Sequence, residues 1–237
     1  MKKNHLITEI NHGKNCQYSK QNKGFTLIEL LIAMFVGLIV LGAIYAVFIA
    51  QNKELNKQEQ IAVMQQNARM AIDMMTREIM MAGYGATNTL PRCSGTTTAT
   101  NTPCVGITAA NTNSISFTMD VSDGSDGIPD GDYDDANENI TYDLYTSDSV
   151  PALGRKSSTT ANKQPVVENV STLAFTYCPA TGSTCDLTNA TSTLENIRRI
   201  QISITTRTAN IDPNTGIYRY YNLVSIVTPR NLGLTGY

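Results

Sequence analysis

A chain of 237 residues with 18 basic and 20 acidic side chains leaves room for one modest domain plus a further segment, at a formal charge of −2. That charge is split: residues 1–24 hold five of the lysines and one glutamate, so the rest, with 13 basic and 19 acidic groups, stands at −6 and offers no basic footprint for nucleic acid. Both histidines, His5 and His12, also fall within residues 1–24; beyond them the chain has no means of Ser-His-Asp or Cys-His catalysis and no His-ligated metal site.

From Phe25 to Ala50 the sequence is apolar, with Glu29 as its one charge. As a helix this run extends roughly 39 Å at 1.5 Å per residue, enough to cross a bilayer. The lysines before it would stay cytoplasmic, which sends the C-terminal part outward. A secretory signal places its apolar region before the cleavage site and loses both together. Here a cut after Gly24 removes only the polar leader and leaves the apolar run as the new N-terminus. A plain signal anchor would explain the apolar content but has no use for Glu29, because a carboxylate in a spanning segment is costly and marks a functional position.

The run Gly24-Phe25-Thr26-Leu27-Ile28-Glu29-Leu30-Leu31 resembles the class III signal of type IV pilins and type II secretion pseudopilins. The resemblance implies cleavage by prepilin peptidase between Gly24 and Phe25, N-methylation of Phe25 and a role in assembly for Glu29. It also implies a domain order of leader (1–24), transmembrane half-helix (25–50), amphipathic half-helix (51–82) and extracytoplasmic β-rich domain (83–237).

Beyond the apolar run, Ile61, Met64, Ala68, Ile72, Met75, Ile79 and Ala82 recur at threes and fours, one face of a helix. Arg69, Asp73 and Arg77 follow at spacings of four and are placed to pair along it. No proline interrupts residues 25–82, and Gly83 and Gly85 supply a stop. One helix of roughly 58 residues, on the order of 87 Å, is expected. Met70, Met74, Met75, Met80 and Met81 read as part of its core stripe, with a partner-binding or metal-binding surface as the alternative.

Residues 83–114 are rich in Thr, Asn, Gly and Ala. Strands are expected at 114–119, 140–145, 171–178, 199–206 and 218–227, where β-branched or aromatic residues alternate with polar ones between turn-formers. The expected fold is α+β, a long N-terminal helix packed on an antiparallel sheet. Segments 166–177, 197–207 and 223–232 resemble the C-terminal half of PilW-like minor pilins, and Val227-Thr228-Pro229-Arg230-Asn231-Leu232 resembles their closing motif.

Four cysteines follow the leader: Cys93, Cys104, Cys178 and Cys185. They allow three connectivities; closeness along the chain favours Cys93–Cys104 and Cys178–Cys185, and the spacings do not fit a zinc ribbon. Disulfides here agree with an oxidising compartment outside the cytoplasm. Residues 120–148 contain ten acidic side chains and no Lys or Arg. Asp123, Asp126, Asp130, Asp132 and Asp134 lie among glycines, a composition that folds carboxylates around calcium, although the EF-hand pattern fails. A solvated acidic loop is the competing reading. No other cofactor is expected.

The function expected from these features is that of a PilW-like minor pilin, not an enzyme. It would reside in the inner membrane with its C-terminal domain in the periplasm, then in the surface pilus. Its partners would be prepilin peptidase, the membrane and other pilins through the N-terminal helix. The alternatives are a J-type minor pseudopilin of type II secretion and a membrane-anchored extracytoplasmic calcium-binding or hydrolytic domain.

Overall fold

The computed structural model describes residues 24–85, 93, 104–121, 129–133, 135–179, 185 and 194–232. The chain divides into two compact units, Met1–Asn52 and Lys53–Tyr237, and helix α1 (Leu27–Met81) contributes to both. The fold is α+β: one long N-terminal helix followed by antiparallel sheets.

In the first unit, α1 contains an 18-residue window of mean hydropathy 2.7 whose side chains are unburied. Leu27, Leu31, Phe35, Leu38, Leu41, Ile44 and Phe48 are all exposed, so the apolar surface runs around the helix and not along one stripe. A helix apolar on every side is built to be surrounded by apolar material.

In the second unit α1 changes character. Met64, Ala68, Ala71, Met75 and Ile79 are buried at spacings of three and four, and the last four of them pack with Ile107, Phe117, Tyr142, Leu153, Phe175 and Ile202 in the core. The methionine stripe is narrower than the periodicity suggests: Met75 is fully buried and Met80 packs partly against the core, whereas Met70 and Met81 are 50% and 37% exposed. Asp73 and Arg77 pair at 2.7 Å on the solvent side, where such a pair contributes at most about 0.5 kcal/mol.

The helix ends through contacts from far along the chain. Gly83 and Gly85 adopt φ of +79° and +77°, the left-handed geometry that turns a chain out of a helix. Two of the last helical carbonyls, which lack partners within the helix, take donors from the C-terminal segment: Arg230 N–H donates to Met80 C=O at 3.1 Å, and Asn231 Nδ2 at 3.3 Å joins Tyr84 N–H at 2.9 Å on Met81 C=O.

Two antiparallel sheets accompany the helix. The first runs β1 (Gly106–Ala110), β2 (Ser114–Thr118), β3 (Asn139–Ser147), β4 (Val150–Lys156) and β5 (Gln164–Glu168) in chain order; the second runs β6 (Val170–Pro179), β7 (Ile197–Arg207) and β8 (Tyr220–Val227). Among the described residues the single sheet expected from sequence is therefore two, with three more strands than expected. The chain passes from one sheet to the other at Asn169, whose φ of +60° redirects the backbone between β5 and β6. Hydrogen bonds tie the sheets together, from Phe175 N–H to Thr112 C=O at 2.7 Å and from the Tyr177 hydroxyl to Asn111 C=O at 2.9 Å. The second sheet joins the helix directly, since the Thr206 hydroxyl donates to Met64 C=O at 2.9 Å. A polar clamp joins the first: Glu78 accepts from the Tyr142 hydroxyl at 2.6 Å and pairs with Arg155 at 3.0 Å.

Candidate functional site

Two groups of residues are candidates among the described ones, one at the helix N-terminus and one within the acidic stretch 120–148. At the first, Gly24 and Phe25 precede α1 outside any helix or strand and are exposed, Phe25 by 84%. Among the described residues a Cβ at Gly24 would meet nothing within 4 Å. Packing does not demand glycine there, so its smallness is available to whatever reads the sequence. Thr26 caps the helix: its side-chain oxygen accepts from Glu29 N–H at 3.3 Å, and its carbonyl accepts from Leu30 N–H at 3.2 Å. Glu29 thus stands in the first turn, where the positive end of the helix dipole favours a carboxylate by about 0.3–1 kcal/mol. Thr26 was missed as a site residue, although Thr26-Leu27-Ile28-Glu29 has the Thr-x-x-Glu spacing of a capping box before an apolar run.

The cysteines form two local disulfides, Cys93–Cys104 and Cys178–Cys185, across sequence separations of 11 and 7. The first is fastened beside β1 by Cys93 N–H donating to Val105 C=O at 2.9 Å. On its other side the buried Thr118 hydroxyl donates to Cys104 C=O at 2.7 Å. The second bridge closes the chain directly after β6, with Cys178 fully buried.

Of the acidic residues considered for calcium, Asp123, Asp126 and Asp134 lie outside the described residues, while Asp130 and Asp132 are exposed. Among the described residues no three acidic side chains converge as ready-made metal ligands. The structure instead draws attention to two other carboxylates of the segment, Asp120 and Glu138, both fully buried. Asp120 Oδ2 accepts from Gly131 N–H at 3.0 Å. Glu138 accepts from Val121 N–H at 2.7 Å and from Asp135 N–H at 3.2 Å. Burial raises the Asp120 carboxyl above its ordinary range, and the charges of Asp130 and Asp132 add to the effect against the opposing backbone hydrogen bonds. Burial likewise pushes Glu138 up to about 6, with Asp120 and Asp135 contributing repulsion. Neither residue shows itself in the sequence, where they are two among ten acids; the one weak signal is that Asp120 directly follows the alternating apolar positions of β2.

No curated protein and no solved structure matches the chain. Residues 19–45 match the family described as the prokaryotic N-terminal methylation motif, which supports a type IV pilin-like reading of the N-terminal part of the chain.

Proposed function

We propose that the protein is a minor pilin, made as a membrane-inserted precursor, cut after Gly24 by prepilin peptidase, methylated on Phe25 and incorporated into a type IV pilus. The observation that carries this reading is the methylation motif leading directly into an all-round apolar helix with one first-turn carboxylate. In the membrane the apolar helix holds the subunit, with the β-rich unit in the periplasm. Within a filament the same surface packs against other subunits in place of lipid. Glu29 is tolerated in the bilayer at a cost of up to about 3 kcal/mol, and the amino group freed at Phe25 of a neighbouring subunit offers it a partner. Pairing of that kind selects axial register, because a buried charge deprived of its partner is strongly unfavourable. The protein then works by assembly and not by catalysis.

Mass spectrometry of the mature N-terminus tests the proposal. The expected peptide begins at N-methylated Phe25, and Gly24→Leu leaves the longer precursor in the membrane. An intact leader on filament-associated protein refutes it. The motif is shared by secretion pseudopilins, so immunoblots of sheared pili from cells with and without the type IV pilus machinery decide which filament the subunit enters.

A further inference from the structure

The connection between β7 and β8, residues 208–219, combines exposed apolar side chains with a closed set of polar contacts. It runs along α1 in the direction opposite to the helix: the Thr206 hydroxyl donates to Met64 C=O at 2.9 Å, and further along the chain Asn210 N–H donates to Gln60 Oε1 at 3.2 Å. A strand advances about 3.3 Å per residue and a helix about 1.5 Å, so the tip at 212–217 is carried beyond Gln60. Asp212 there feels the positive charge of Lys57. These contacts lie within the second unit, Lys53–Tyr237, at the end where its part of the helix begins. Lys57 follows Ala50, the last residue of the apolar run, by seven positions of unbroken helix, about 10 Å.

Ile211 and Ile217 at the tip are 48% and 64% exposed, and Tyr220 follows at 57%. The polar groups of the tip, in contrast, are taken up. Asp212 N–H donates to Ile217 C=O at 3.0 Å, and Thr215 and Gly216 N–H donate to Asp212 C=O at 3.2 and 2.8 Å. Asn214 N–H donates to Asp212 Oδ1 at 2.9 Å, and Pro213 has no N–H to satisfy. The one acid and one base of residues 208–219 pair with each other, Arg219 with Asp212 at 2.8 Å. Donors satisfied within the loop and a charge pair closed on itself lower the cost of leaving water, while outward isoleucines gain from leaving it. Beside the tip, Arg207 lies over the Tyr218 ring at 4.2 Å and forms no ion pair with a described carboxylate. Tyr and Arg have an apolar body and a polar end, and such side chains settle at a membrane–water boundary, where a cation meets lipid phosphate.

We propose that the tip of the β7–β8 hairpin docks on the surface of the bilayer that α1 enters, with Ile211 and Ile217 in the headgroup layer and Arg207 facing lipid phosphate. The occupant is lipid because the tip lies beside the first helical turns after the apolar run, and a loop whose polar groups are closed on themselves offers a protein partner little to bond. This second contact would hold the β-rich unit against the membrane before assembly. The inference rests on the reading of α1 as a membrane anchor, and a label on α1 separates the two.

The test uses the full chain carrying Cys16→Ser in vesicles of phosphatidylethanolamine and phosphatidylglycerol, with a single added cysteine bearing an environment-sensitive fluorophore. Three positions are compared: Ile217→Cys at the tip, Ile39→Cys in the apolar run and Thr159→Cys in the exposed turn between β4 and β5. Lipids spin-labelled at the headgroup should quench the Ile217→Cys label, and lipids spin-labelled deep in the acyl chain should quench the Ile39→Cys label. Neither should quench the label at Thr159→Cys. Adding Ile211→Asp to Ile217→Cys should abolish the headgroup quenching. A tip label that stays unquenched while the Ile39→Cys label is quenched overturns the docking and leaves the anchor standing. Quenching at Thr159→Cys equal to that at the tip, or quenching unmoved by Ile211→Asp, also overturns it. An unquenched Ile39→Cys label removes the anchor reading and the docking together. Should Ile217→Cys fail to fold by circular dichroism, exposed Thr215→Cys carries the label and is read in the same way.

Discussion

Gly85→Ala tests whether the turn after α1 is built around Asp120. Gly85 sits at φ +77°, where an L-residue costs about 1–2 kcal/mol. Alanine recovers about 0.4–1 kcal/mol of this by restricting the unfolded chain. The new methyl group would in addition meet Asp120 Cβ and the Asp120 carbonyl oxygen at 2.5 Å. A backbone atom cannot rotate away as a side-chain tip can, and relieving such overpacking costs about 1–3 kcal/mol more. Gly216 is the control: its φ is +70°, and a Cβ there would meet nothing within 4 Å. Gly216→Ala should therefore cost about 1 kcal/mol, and Gly85→Ala about 2–4 kcal/mol. Urea unfolding of the full chain in detergent, followed by tyrosine fluorescence since the chain has 11 Tyr and no Trp, yields both values as midpoint shifts at constant slope. Equal losses at the two positions would refute the claim that contact with Asp120, and not the left-handed backbone alone, requires glycine at 85.

Four further outcomes are expected. The Glu138 carboxyl rises from 4.5 to about 6 in the folded protein, so folding favours its protonated form. Its contribution is fully present below pH 4.5 and is lost as pH rises through 6, roughly 2 kcal/mol in all; in EGTA, Glu138→Gln should flatten that part of the stability–pH curve, and an unchanged curve counts against the assignment. Met75→Ala, at a fully buried position, should cost about 2–5 kcal/mol in the same urea assay, while half-exposed Met70→Ala should stay within about 0.5 kcal/mol. Thiol labelling of the leaderless protein without reductant should detect no free cysteine, and peptide mapping should recover Cys93–Cys104 and Cys178–Cys185. Glu29→Ala should insert and fold normally yet be depleted from sheared filaments, with Glu29→Gln behaving alike; a Gln variant that assembles at wild-type level removes charge from the register mechanism.

Much of this architecture is legible along the chain because its signals are local. The helix follows from an apolar run, an apolar stripe at threes and fours, and the absence of proline before Gly83, none of which needs a distant partner. Strands β2, β3, β6, β7 and β8 announce themselves by alternation, because each turns one face to the core and the other outward. The N-terminal motif is likewise read from consecutive residues.

Other elements exist only through their neighbours. β4 contains Pro151 and Gly154, and β5 contains Pro165; such residues argue against a strand unless, as Pro165 does, they lie at a sheet edge where no ladder donor is needed. Gly154 is explained by crowding alone, since a Cβ there would meet Lys163 at 2.5 Å and Tyr145 at 2.7 Å. The β3–β4 turn uses Asp148 and Ser149 at φ +48° and +68°, a tight hairpin without the Asn-Gly or Asp-Gly pair that would have marked it. The C-terminal cap of α1 depends on Arg230 and Asn231, which approach from some 150 positions away. Burial of Asp120 and Glu138 belongs to the same class: composition identifies an acidic stretch, but only the packing of the turn at 82–85, β2 and the segment before β3 removes two of its carboxylates from water. Charge density is a property of the sequence, whereas desolvation, which raises the cost of that charge, is a property of the fold.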